Sequence, residues 1–559
     1  KRRRDVFREK TEMKRVLHLL LRGPSPCSGA VLSAALLIQA AFVSGGESLF
    51  AQEPPGETPT QTESLPLAEK PLHEIELSIE QAVEMGLARS FDVRIARTEG
   101  KIREREMVIQ DAVFDPFFTL SANYSKNRRP SVSFLDIGDA VLSEVRVNPF
   151  ESSNYSSGIR LRTLLGSTYS LTVGESGFDR PLASSLFSFN PVQEASVRFT
   201  ATQPLLKGAW YPYNYSAIQV AENNRKLAMD SLETTISDLI FRIETAYWQL
   251  VFSSRNYAAN ENSLKVATEN VEKARKEEAA GTQPKIYVTT IEGQLARRKV
   301  EMNDALLQLE NSRDNLLDLL QYKGESLRQL WEAGQKTGSF DGIRVTPLSE
   351  PTEQVTLPER NPSLAEAFER RADYRQFAAL LDNQKTLVDM RANERLPQLD
   401  LTGAWAQFGL ADSFGESFSS LGSGDFYGWT VGLQLAMPLS NRGLQSNYDR
   451  ARDRYQQLKW QRLQTENRII MEVDQSIRRL RSMARKLVYL DDLVRLKETE
   501  LAAERRKLAA GASIPFTVNT IENDLLSLQT QALQAKTDLE AARSDYIRAT
   551  GGLLERYGV

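Results

Sequence analysis

The sequence has 559 residues, 41% of them hydrophobic and 26% charged, with a formal net charge of −3. This balance belongs to a folded chain rather than a disordered one. With no basic stripe beyond the amino terminus, nucleic acid is not an expected partner.

The amino terminus reads as a secretory signal over residues 1–51. A basic stretch, Lys1 to Arg22, precedes an apolar run from Gly29 to Val43, and small and polar residues follow up to Ala51. The run is too short for a membrane span and has the order of an n-region and h-region. Met13-Lys14-Arg15 resembles a native start. Residues 1–51 hold nine Lys/Arg and four Asp/Glu, so their removal takes the charge from −3 to −8. The single cysteine, Cys27, and His18 leave with this segment, and His73 is then the sole histidine. A His/Cys zinc site, a cysteine nucleophile and a disulfide are thereby excluded from the mature chain. No catalytic residue, metal or cofactor is expected.

Residues 52–76 are rich in Pro, Thr and Glu and read as a flexible leader. A first folded half is expected over 77–322. It opens with a helix at Leu77–Val83 and continues with an alternating strand in which Phe118, Leu120, Ala122 and Tyr124 share one face. Two further candidate strands, Ser156 to Leu164 and Thr168 to Gly174, are expected as a hairpin standing above the membrane, with additional wall strands as the alternative. Gln203-Pro204-Leu205-Leu206 ends the strand region. From Pro212 to Gly281 no Gly or Pro interrupts about 68 residues, enough for a helix of about 100 Å. Gly281-Thr282-Gln283-Pro284-Lys285 reads as a tight turn into a second helix. Residues 323–362, polar and containing Pro and Gly, form a linker.

The second half, 363–559, repeats this order. Tyr427, Trp429, Val431, Leu433, Leu435 and Met437 alternate with small or polar residues, after a polar Gly/Ser-rich loop at Ala411 to Asp425. Another uninterrupted stretch from Gly443 ends at the turn Gly511-Ala512-Ser513-Ile514-Pro515. Val473, Ile477, Leu480, Ala484, Leu487, Val494 and Leu501 recur in steps of four and three, as do Ile236, Leu239, Ile243, Ala246 and Leu250, the seam of a coiled coil.

The two halves align as an internal duplication. Asp92 and Pro116 fall on Asp373 and Pro397 at an offset of 281. Val197, Phe199, Pro204 and Leu205 fall on Val431, Leu433, Pro438 and Leu439 at 234, and from Ile240 onward the offset is 230. Ala-Ala-Gly followed by Val-x-Thr-Ile-Glu occurs at 279–292 and again at 509–522. The fold class expected is therefore α+β, a long α-helical coiled coil joined to strands of bilayer length. So few strands cannot close a barrel alone, and open edges are not tolerated in lipid, so oligomerisation follows.

From about Leu77 to Tyr557 the sequence resembles the TolC-like outer-membrane efflux protein family. The resemblance rests on Leu77–Val83, Gln203–Leu206, Ala246-Tyr247-Trp248-Gln249-Leu250, and the turns at Gly281 and Gly511. It implies a homotrimer in the outer membrane extending into the periplasm, with four strands per copy forming a twelve-stranded transmembrane β-barrel above an α-helical barrel. The linker 323–362 would belong to an equatorial band. Partners implied are a periplasmic adaptor (membrane fusion) protein and an inner-membrane RND pump or ABC transporter, for efflux or type I secretion. Gly281, Thr282, Lys285, Gly511 and Ser513 would contact the adaptor.

In this family acidic residues after the second turn often ring the constriction. The matching positions are Thr517 and Thr520, with Tyr287 and Thr290 in the first half, so the acid is missing there; Asn519 and Glu522 are the remaining candidates, with a solvated Glu522 as the competing reading. Trp210 and Tyr211 at one end of the strands, and Tyr427 and Trp429 at the other, read as membrane-interface aromatics. Arg478, Arg479, Arg481 and Arg485 read as a solvated helix face. A non-conducting coiled-coil stalk or adhesin is the alternative, and the strands speak against it.

Overall fold

The computed structural model describes residues 73–131, 146–179, 188, 190–322, 343–352 and 356–559. The signal segment, residues 52–72 and half of the linker lie outside these residues. The fold begins at β1 (His73–Leu77), four residues ahead of the expected start, because β1 finds a parallel partner in β6 (Ile343–Pro347). Ser78 then caps α1 (Ile79–Arg89) with a full capping box to Gln81, which satisfies two otherwise orphaned amides. Next come α2 (Phe91–Asp111) and four strands: β2 (Phe117–Ser131), β3 (Arg146–Arg162), β4 (Thr168–Asp179) and β5 (Val192–Pro204). The long α3 (Tyr211–Ala279) and α4 (Lys285–Leu319) complete the first half.

The second half runs α5 (Arg360–Arg370), α6 (Ala372–Glu394), β7 (Gln398–Ala411), α7 (Phe414–Leu421), β8 (Tyr427–Ala436), α8 (Arg442–Ala509), α9 (Pro515–Thr550) and α10 (Leu553–Tyr557). At 69 and 68 residues, α3 and α8 are each about 100 Å long. α4 folds back on α3, and α9 on α8.

The seams read from the sequence are buried. Ile236, Leu239, Ile243, Ala246 and Leu250 enter the largest cluster; Val473, Ile477, Leu480, Leu487 and Leu501 are buried along α8, with Ala484 and Val494 packed beside them. Each fully buried Ile or Leu contributes about 1.5–3 kcal/mol. The largest cluster lies midway along α3, where α1, α10, the end of α4 and the β1–β6 pair converge. Tyr247, fully buried at its centre, donates its hydroxyl to the Leu77 carbonyl (2.9 Å) and accepts from the Ser349 amide (2.9 Å). One phenol thus ties both strands of the pair to the long helix.

The strands form one six-stranded antiparallel sheet in the order β2-β3-β4-β5-β7-β8. This corrects two expectations. Ser156–Arg162 and Thr168–Gly174 lie in β3 and β4 in the interior of the sheet rather than in a separate hairpin, and among the described residues the chain gives this sheet six strands rather than four. The step in sequence offset from 281 to 234 is a net insertion of 47 residues in the first half, and the hairpin β3–β4 falls within it. The expected loop at 411–425 also contains a helix, α7, whose Phe414 and Phe418 rings pack 5.1 Å apart at a tilt of 51°.

Replacing Tyr247 with Phe leaves the half-buried Ser349 amide without its partner, while the Leu77 carbonyl keeps only the Leu348 amide (3.0 Å). We expect a loss of about 1–3 kcal/mol, read as a lower urea midpoint of the solubilised protein; an unchanged midpoint would show that the phenol does not hold the β1–β6 pair.

Candidate functional site

The strand register gives the sheet two chemically distinct faces. One row crosses all six strands as Phe118, Ile159, Leu171, Phe199, Trp405 and Trp429. All six side chains are exposed, although a soluble protein would bury them. The same face carries Leu120, Tyr124, Leu433 and Leu435, and on β8 it runs from Tyr427 to Leu435. Beyond Tyr124 it turns polar, where Lys126 pairs with Glu151.

The opposite face is lined by small hydroxyls. Ser121 and Ser156 meet at 2.8 Å, Ser125 and Ser152 at 2.8 Å, Ser170 bonds Thr200, and Thr402 donates to the Gly432 carbonyl at 3.2 Å. An apolar face with aromatics backed by a Ser/Thr/Gly face is the composition of a membrane wall around water. Among the described residues no helix is long and apolar enough to cross a membrane.

Asn214, in the first turn of α3, fixes the sheet over the helices. Its amide donates to the carbonyls of Gly208 (2.9 Å) and Trp210 (3.0 Å), and its oxygen accepts from Arg162 of β3 (3.1 Å). The chain reaches α3 through Gly208 and Trp210, both at positive φ (78° and 72°). Trp210 and Tyr211 are exposed at this junction, and Tyr427 and Trp429 are exposed near the far end of the sheet, about 30 Å away along β8.

At the other end of the long helices, the two turns have matching hydrogen bonds. Gly281 (φ 72°) donates to Glu278 at 2.9 Å and Thr282 to Glu277 at 2.9 Å; Gly511 (φ 75°) donates to Leu508 at 3.0 Å and Ala512 to Lys507 at 2.9 Å. A left-handed residue after the last helical turn satisfies its free carbonyls, and glycine adopts that backbone without steric cost. Ser513 bonds Glu504 across the second turn, and Ile286, Ile514 and Phe516 are exposed beside the turns.

Glu522 does not stand alone: Arg505 donates to its Oε1 through Nε (3.2 Å) and Nη2 (2.6 Å). The same fork, Arg275 to Glu292 at 3.1 and 2.7 Å, holds the first hairpin. Asn519 accepts no role alone either, since its amide donates to Gln294 of α4 at 3.2 Å, beside a bond from Arg298 to Asn523. The two hairpins are thereby stitched together. Thr290 and Thr520 return their hydroxyls to carbonyls one turn back, at Ile286 and Phe516 (2.9 Å each), and Thr517 is half-buried.

Sequence reasoning missed the seat of α7. Gly409 lies directly beneath this helix, where a Cβ would stand 2.2 Å from the Ser417 carbonyl. The same row holds Glu175, 3% exposed, with neither carboxylate oxygen hydrogen-bonded. A lone glutamate in an alternating strand carries no signal of such burial.

Residues 363–552 match the family model described as "Outer membrane efflux protein". No curated sequence matches the chain. Among solved structures, a membrane protein from Pseudomonas aeruginosa is similar over 85% of this chain and 93% of its own, at 15% identity and TM-score 0.61. The outer membrane protein VceC from Vibrio cholerae covers 85% and 96% at 15% identity, TM-score 0.58. The outer membrane channel CmeC from Campylobacter jejuni covers 85% of each chain at 14% identity, TM-score 0.57.

The second turn should respond to pH. The Ser513 hydroxyl, and then Lys507, hold the Glu504 carboxyl below its ordinary range. A lowered folded value means the stabilisation is present above the unfolded carboxylate pKa and is lost as pH falls through the folded one. Protection of the Ala512 and Ser513 amides, measured against their intrinsic exchange rates, should therefore fall on acidification, and Glu504→Gln should be weakly protected already at neutral pH with no such dependence. A wild-type rate that follows only intrinsic exchange chemistry would refute this.

Proposed function

We infer the working assembly from one premise: through residues 363–552 the chain belongs to the outer membrane efflux protein family, and it is an outer-membrane channel that reaches into the periplasm. The observation that carries the reading is the two-faced sheet standing on helices of about 100 Å, a membrane wall and a periplasm-spanning tube in one chain.

Three copies form the channel. Among the described residues the two edge strands, β2 and β8, have one partner each, and a single sheet cannot present such edges to lipid. The helical layer is open in the same way: among the described helices α3 and α6 have neighbours on both sides, whereas α2 packs chiefly on α3 and α8 has α6 on one flank. A duplicated chain supports cyclic closure. Arg275–Glu292 and Arg505–Glu522, the paired turns, and the equal offsets of α2 and α6 all favour two copies of one ancestral unit. Six such units arranged around an axis give each open flank the partner that its counterpart already has.

No residue of this duct needs to do chemistry. Transport energy comes from an inner-membrane RND pump or ABC transporter, joined through a periplasmic adaptor protein. The tip residues Gly281, Thr282, Lys285, Gly511 and Ser513 supply the adaptor contact, with the exposed Ile286, Ile514 and Phe516 as apolar anchors beside them. The constriction lies among Thr290, Thr517, Asn519, Thr520 and Glu522. A non-conducting stalk has no use for a sheet with a hydroxyl-lined second face.

The first test is the mass and shape of the detergent-extracted protein by light scattering and electron microscopy. A trimer with a tube longer than about 100 Å is expected; a monomer or a thin rod would overturn the reading. A second test addresses the tip. Arg505→Ala releases the Glu522 carboxylate, so channels in planar bilayers should become several-fold more cation-selective. Unchanged selectivity would place this pair away from the conducting path.

A further inference from the structure

The six-stranded sheet departs from the four strands that the family resemblance implies, and the departure has a geometric consequence. Strands lie about 4.8 Å apart and tilt by about 40° in barrels, so six of them occupy about 38 Å of circumference and four only about 25 Å. The upper helical layer of one chain holds α2, α3, α6 and α8 side by side. At about 9–10 Å per helix it is 36–40 Å wide. The added hairpin therefore brings the strand wall to the width of the helices beneath it.

The chain also contains a template for closing the wall. β5 leads into α3, β7 follows α6, and the two strands pair antiparallel while the two helices pack. By the sequence offsets, β8 with α8 corresponds to β5 with α3, and β2 with α2 corresponds to β7 with α6. β2 runs away from the helices and β8 returns to them, so β8 of one copy meets β2 of the next antiparallel. The pair Thr202–Thr402 in the template becomes Ala436–Ser121 across copies, both on the hydroxyl-lined face. In the helices, Asn223 and Gln219 of α3 donate to Asp382 of α6 at 2.7 and 3.1 Å. Their counterparts are Asp453 and Asp449 of α8 and Lys101 of α2, all exposed in the single chain. The transferred contact joins two acids to one lysine.

We propose that three copies close into an eighteen-stranded barrel, β8 against β2 of the next copy, so that the outer-membrane end of the duct is as wide as its helical part. The inference rests on the trimeric reading above. The backbone wall is then about 36 Å across, against about 25 Å for twelve strands. Short Ser, Thr and Gly side chains leave most of that width open, which suits bulky hydrated cargo.

The test uses the full chain with Cys27→Ser. Ser121→Cys with Ala436→Cys should give covalent trimers on mild oxidation, and Ser121→Cys alone should give none. Lys101→Asp should weaken the trimer at least tenfold, and Asp453→Lys in the same chain should restore it. Native mass and averaged views down the axis complete the measurement. A copy number other than three would overturn the trimeric reading and this inference with it. Three copies with a wall of about 25 Å, or without the β8–β2 cross-link, would overturn this inference alone.

Discussion

The governing constraint is that a strand in hydrocarbon has no water for its amides and carbonyls. Every backbone group in the wall must be bonded to a neighbouring strand, and the two outermost strands of this sheet, β2 and β8, have one neighbour each among the described residues. Much else in the chain follows from meeting that requirement. The alternation of apolar and hydroxyl residues fixes which face meets lipid, and a one-residue slip in any strand would invert it. The register is held where slipping is most damaging: Asn214 clamps β3 to the start of α3, and Gly208 and Trp210 set the angle at which sheet becomes helix.

Below the membrane the same logic applies to helices in water. A helix of 68 or 69 residues is stable only if one stripe is covered throughout its length. α3 obtains this from α4 near the turn, from α2 and α6 near the sheet, and from the cluster around Tyr247 between them; α8 obtains it from α9 near the turn, from α6 near the sheet, and from Ala367 of α5 and Ala549 of α9 around Val473 between them. The β1–β6 pair sits at this middle position and binds a segment before the first half to a segment between the halves.

The long helices were legible because nothing competes with them. Absence of Gly and Pro, a seam in steps of three and four, and glycine followed by proline at the turns all point the same way. Strand alternation was equally clear in β8, where Tyr427 to Met437 carry large apolar residues at every second place. It was faint in β3 and β4, where Ser156, Ser157, Gly158 and Gly174 blur the contrast, and their place in the sheet depends on pairing with β2 and β5. Short-range pattern reports a strand; only tertiary pairing decides whether it is inside a sheet or above it. The candidate gate residues illustrate a second limit. Glu522 looked like a free acid because Arg505, its partner, is 17 residues away on the facing helix. Likewise the burial of Glu175 follows from α7 crossing over Gly409, which no local pattern announces.

The turns at Gly281 and Gly511 have one more property. A side chain built on either glycine would touch nothing within 4 Å, so the surroundings of these tips place no steric demand on their sequence. Only the backbone conformation is fixed. The exposed side chains beside that fixed point, Ile286, Ile514 and Phe516, can therefore change without disturbing the helices behind them. A duct with such ends can acquire a new docking partner by surface change alone, while its wall and bore are inherited unchanged.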